Sequence, residues 1–104
     1  VQIELEPKLF TPNNDGDKDL LHIRFNLDEG GWQGNIKIYN DRGMVIKNLI
    51  SNYWIENKGS FEWDGSDDNK EMAKAGIYLV YFEVFNANGE KFAFKKVCVL
   101  GNSY

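Results

Sequence analysis

Four oxygen-bearing side chains, Asn13, Asp15, Asp17 and Asp19, alternate around Gly16 in the stretch Phe10-Thr11-Pro12-Asn13-Asn14-Asp15-Gly16-Asp17-Lys18-Asp19. Hard cations want several carboxylate or carbonyl oxygens, so calcium is the ion this loop would take. Thr11 stands at the first ligand position of the full calcium-loop pattern, and no Glu closes it. The competing reading is a turn in which Asp and Asn bond their own backbone. A second acidic turn, Asp64, Asp67 and Asp68, follows Trp63; here the turn reading is preferred, with Trp63 filling the core. Trp32 and Trp54 lie in Gly30-Gly31-Trp32-Gln33-Gly34 and Asn52-Tyr53-Trp54-Ile55, segments that read as loops. Exposed indoles stack on sugar rings, so a carbohydrate-binding or adhesive module is the alternative function. The preferred reading has both rings capping the open ends of the fold.

Catalytic chemistry has little to work with. One histidine, His22, is the only imidazole, and it sits in Leu20-Leu21-His22-Ile23-Arg24-Phe25, where polar residues alternate outward as on a strand. The sequence has no phosphate-cradling glycine loop, nucleophile elbow or H-E-x-x-H helix. The single Cys98 can form neither an internal disulfide nor, with one His, a zinc site, and it reads as a small buried hydrophobe. Lys and Arg number 12 against 16 Asp and Glu, a net charge of −4, opposite to the footprint of a nucleic-acid binder. No stretch approaches the length of a membrane-spanning helix.

The elements that position these residues are strands. In 104 residues, 42% of them hydrophobic, the length allows one domain, 1–104. Apolar residues recur at every second position: Val1, Ile3 and Leu5; Leu21, Ile23, Phe25 and Leu27; Ile36 and Ile38. Asn40-Asp41-Arg42-Gly43 turns the chain into Met44 to Leu49, forming a hairpin. Ser60 to Trp63 is a short strand. Gly76 to Phe85 is apolar on both faces, which predicts a central strand. Asn88-Gly89 predicts a type I′ turn into Glu90 to Leu100. Only Glu71 to Ala75 has helical propensity, enough for a single turn. About seven antiparallel strands with frequent turns predict an all-β immunoglobulin-like or fibronectin-like sandwich. Val1 to Glu6 reads as a strand and not as a signal peptide, so the chain is expected to begin inside a larger protein, with further domains upstream.

Three motifs together resemble one family. Phe10 to Asp19 is similar to the F-[ST]-P-N-x-D-G-x-x-D stretch of C-terminal domains exported by the Bacteroidetes type IX secretion system. Ile36 to Gly43 resembles that family's I-[YF]-[ND]-x-x-G hairpin, and Gly76-Ile77-Tyr78-Leu79-Val80, Asn88-Gly89 and Lys95-Lys96-Val97 resemble its closing G-x-Y-x-[VL]…G…KK-x-[VI] pattern. Trp63-Asp64-Gly65 followed by Gly76-Ile77-Tyr78 also resembles the immunoglobulin-like domain of the flagellar hook-capping protein. Gly101 to Tyr104 extends past the family's usual basic-then-apolar end. The resemblance implies a non-catalytic sorting or anchoring domain, read by the outer-membrane secretion machinery at Gly76, Tyr78, Gly89, Lys95, Lys96 and Val97. It also implies the C-terminal place in a larger exported protein and transit through the periplasm to the cell surface or medium. No cofactor is expected beyond the calcium of the Asn13 to Asp19 loop. The last hairpin is expected to offer an edge that could add a partner strand. Lys95 and Lys96 either guard that edge or meet an acidic receptor.

Overall fold

A computed structural model describes residues 1–12 and 18–101. It contains eight strands: β1 (Gln2–Glu6), β2 (Leu9–Phe10), β3 (Leu21–Asn26), β4 (Trp32–Tyr39), β5 (Val45–Ile55), β6 (Lys58–Trp63), β7 (Gly76–Asn86) and β8 (Lys91–Leu100). They form a three-stranded sheet, β1-β3-β6, and a five-stranded sheet, β2-β8-β7-β4-β5. Every pair is antiparallel except β2 with β8. The two sheets form the expected immunoglobulin-like sandwich.

Alternation places the core between the sheets. β4 buries Trp32, Gly34, Ile36 and Ile38, and β7 buries Tyr78, Val80, Phe82 and Val84. Leu21, Ile23 and Phe25 face them from β3. Trp63 is fully buried with its ring centroid 5.4 Å from both Phe10 and Tyr78, and its indole N–H donates to the Ser66 carbonyl at 2.8 Å. The Tyr78 hydroxyl donates to the Lys74 carbonyl at 2.6 Å, tying the start of β7 to the preceding loop as a tyrosine corner does in immunoglobulin domains.

Four expectations need correction. The eighth strand is β2: the chain leaves β1 through a cis Glu6–Pro7 peptide, crosses to the other sheet and pairs parallel with the end of β8. Two residues are too few to show periodicity. Second, Asn52 to Ile55 is no loop but the end of β5, whose pairing with β4 is interrupted by register shifts between Gly34 and Lys37. Asn52 adopts φ 48° there, and its N–H donates to the Asn35 side-chain oxygen at 2.7 Å. Such irregularity erases the period-two signal. Third, Trp32 opens β4 and is 2% exposed, so it is a core residue.

Fourth, the Asn88-Gly89 turn is not type I′. Only Gly89 has positive φ, and the loop is the three residues Ala87-Asn88-Gly89, closed by mutual hydrogen bonding of Asn86 and Glu90. A three-residue loop of this kind carries a left-handed residue at its end. No helix forms at Glu71 to Ala75; Met72 instead bridges to Ser66.

Candidate recognition surface

Gly76, Tyr78, Gly89, Lys95, Lys96 and Val97 fall in one hairpin, β7-β8, but they do different jobs. Gly76 begins β7 opposite Leu100, Tyr78 pairs with Cys98 and is buried with it, and Gly89 holds the turn at φ 82°. These three shape the hairpin. The neighbouring lysines point to opposite faces, because successive residues of a strand do. Lys96 is opposite buried Val80 and reaches the open side of the sandwich, beside Val1, Ile3 and Phe94. Lys95 is opposite Tyr81 on the outer face, with its ammonium 6.0 Å from the ring centroid. Val97 shares that outer face and is 56% exposed.

Register then shows what surrounds Val97. Val45, Tyr39, Leu79 and Val97 line up as one row across β5, β4, β7 and β8. Ile77, Val99 and Leu9 form the next row across β7, β8 and β2. An antiparallel sheet packed on one side normally turns polar residues outward. Here Ile77, Leu9 and Val45 are 57%, 50% and 43% exposed. β7 is central, as its two apolar faces predict, but only one of those faces is covered by the second sheet. A shallow hollow of about 660 Å³ lies where the first row meets the β4–β5 turn, lined by Asp41, Gly43, Ile77 and Lys95 among others.

The same face becomes polar beyond these rows, before Phe85 and the exposed Trp54 on the last row. Glu83 accepts from Asn35 at 3.3 Å and from the Tyr81 hydroxyl at 3.1 Å, and lies 3.3 Å from the Lys91 ammonium. Partial desolvation pushes the Glu83 carboxyl up, but the hydrogen bonds from Lys91 and Tyr81 and the Lys91 charge outweigh it and hold the pKa below the ordinary value. Glu83 and Lys91 neutralise each other. Lys37 and Lys95, on the row between the apolar and polar ends, form no ion pair among the described residues.

The remaining expected sites separate in the structure. Asn13, Asp15 and Asp17 lie outside the described residues; Asp19 is within them, and the Thr11 N–H donates to the Lys18 carbonyl at 2.8 Å across the base of the loop. Asp64, Asp67 and Asp68 serve as turn anchors. Asp64 accepts from the Ser66 N–H and hydroxyl, Asp67 from the N–H groups of Asn69 and Glu71, and Asp68 from the backbone and side chain of Asn48. Trp54 is 66% exposed on the outer face, but neighbouring Tyr53 points the other way towards Phe61. With Trp32 buried, the aromatic platform that sugar stacking would use is not assembled. His22 bonds Glu62 on the paired strand at 3.1 Å, as a partly exposed strand histidine does.

The chain that folds into this sandwich matches the family described as CHU_C type IX secretion signal domain over residues 3–98. The chain belongs to that family. No curated protein matches it. As a type IX secretion signal domain it is a sorting signal that interacts with the secretion machinery and directs export to the cell surface or medium. The likeness to the hook-capping protein remains one of the motifs around Trp63 and Gly76. Among the described residues of this signal domain, no helix is long and apolar enough to cross a membrane, and no group of three His, Cys, Asp or Glu is placed to hold a metal ion.

Proposed function

We propose that the type IX signal is read from the folded sandwich, as the non-catalytic C-terminal domain of a larger protein that crosses the periplasm before export. The observation that carries this is the interleaving of the closing motif. Tyr78 and Cys98 lock the β7-β8 pair into the core, while Lys95 and Val97 are displayed outward by the same pairing. An extended tail would expose all of them without distinction; only the fold sorts them. Gly76, Tyr78 and Gly89 therefore act by building the display, and Lys95 and Val97 by being displayed.

The test is a fusion of residues 1–104 behind a periplasmic reporter in a type IX-competent bacterium. Surface reporter is expected with the intact domain and loss with Trp63→Ala, which removes about 3–5 kcal/mol of packing and unfolds a marginal domain. Periplasmic retention of the intact fusion would overturn the sorting reading, and full export of the unfolded variant would overturn the folded-signal reading. Calcium binding by Asn13, Asp15, Asp17 and Asp19 is proposed separately, on donor chemistry alone. A calorimetric titration at millimolar calcium that shows neither heat nor a melting shift removes it.

A further inference from the structure

We infer that the apolar end of the five-stranded sheet's outer face is the docking surface of this domain, and that its partner is a protein surface of the secretion machinery, apolar at its centre with carboxylates at its margin. The inference rests on the sorting reading and adds to it the surface and the partner's chemistry. Two cross-strand rows place Leu9, Ile77, Leu79, Val97 and Val99 beside one another and reach Val45 through Tyr39, so that together they span all five strands, where a solvent-facing sheet would carry polar residues. A contiguous apolar patch with a polar border marks an interaction site.

Charge decides between occupants. The whole chain carries −4, yet this face carries Lys37, Lys91 and Lys95 against Glu83, whose charge Lys91 cancels. Asp41 at the turn offsets one of the two remaining lysines and leaves a single positive charge in excess. Positive margins around an apolar centre steer towards negative ones and suppress like-charged partners. A second copy of this face would set lysine against lysine. A lipid surface is also disfavoured, because peripheral insertion is characteristic of an amphipathic helix that sinks its apolar face about 5–10 Å deep, and this patch is built from paired strands.

The reporter fusion tests this with surface variants whose folding is confirmed by melting. Val97→Asp and Ile77→Asp are expected to cut surface reporter at least tenfold, with periplasmic accumulation. Lys95→Glu, on an exposed side chain, is expected to cut it several-fold while Lys95→Arg leaves it unchanged. Glu4→Lys, on the outside of the other sheet, is expected to export normally. Normal export of folded Val97→Asp and Lys95→Glu overturns the docking surface while leaving the sorting reading standing; retention of the unsubstituted fusion overturns both. Sedimentation showing a dimer that Val97→Asp dissolves would assign the face to a second copy. Flotation with phosphatidylglycerol vesicles that the same substitution abolishes would assign it to lipid. Either result overturns the proposal.

Discussion

At the scale of single residues, one turn design recurs three times. Asn40, Asp67 and Asn86 each accept two backbone N–H bonds, from the residues two and four positions later, and the fourth residue of each turn is left-handed. Those fourth residues are Gly43, Lys70 and Gly89, with φ 79°, 66° and 82°. The two N-x-x-G turns are readable in the sequence because glycine advertises its conformation. The Asp67 turn is hidden, since nothing about Lys70 announces positive φ. Replacing Lys70 by Gly releases a Cβ clash of about 1–2 kcal/mol and adds back about 0.5–1 kcal/mol of unfolded-chain entropy. Lys70→Gly is therefore expected to raise the unfolding free energy by about 0.5–1 kcal/mol in urea titrations; a loss of stability would refute the account. Gly65 is the reverse case. It has φ 87°, and an added Cβ would stand 3.0 Å from Leu100 and 3.1 Å from Met72 and Pro12, so Gly65→Ala is expected to lower the melting midpoint by several degrees.

Strands were legible in proportion to how regularly they pair. β4 alternates without a break in the fold, and its apolar positions Ile36 and Ile38 mark the face that the core covers, while the glycines around Trp32 disguise its first residues as a loop. β5 was half-read, because the register shifts against β4 and the left-handed Asn52 destroy its period. The exposed apolar face is harder still to read. Ile77, Leu79, Val97 and Val99 are visibly apolar in the sequence, but whether their face is covered depends on how many sheets pack there, which no local pattern encodes. Edges follow the same logic of pairing. β8 is covered by β2 only at Val99 and Leu100, leaving Lys91 to Cys98 as a free edge. Lys96 points inward at that edge, an arrangement that makes a second strand bury a charge if it pairs there. At the opposite edge, Asp68 closes part of β5 through its N–H to the Ile46 carbonyl and its carboxylate to the Asn48 N–H. Lys96→Val should accordingly remain folded yet self-associate, seen as a sedimentation coefficient that climbs with protein concentration. A strictly monomeric variant would assign Lys96 some role other than edge protection.

For the whole molecule, stability has to come from the sandwich core, since the only cysteine, Cys98, is a buried free thiol. Burial pushes that thiol up to about 12, and it also raises Tyr78, with smaller contributions from the Asp41 and Cys98 charges. Both groups hold their protons in the folded state after the unfolded chain has begun to lose its own. Below the ordinary thiol value near 9 the two states bind equal protons at Cys98, and this contribution is fully present. Between 9 and 12 the folded state binds more, so stability falls as pH rises, by up to about 1.4 kcal/mol per pH unit from one proton. The acid limb has the opposite sign. Asp64, lowered chiefly by the Ser66 hydroxyl against partial desolvation, and Glu62, lowered chiefly by the Ser60 hydroxyl, contribute above their unfolded values near 4 and lose that contribution as pH falls. The domain should thus be most stable between these limbs, across the neutral range. Urea midpoints of Cys98→Ala isolate the alkaline limb: the variant is expected to be less stable at pH 7, where it loses packing, but to decline less steeply than the parent between pH 9 and 11. Parallel declines would mean that the thiol is not held protonated by the fold.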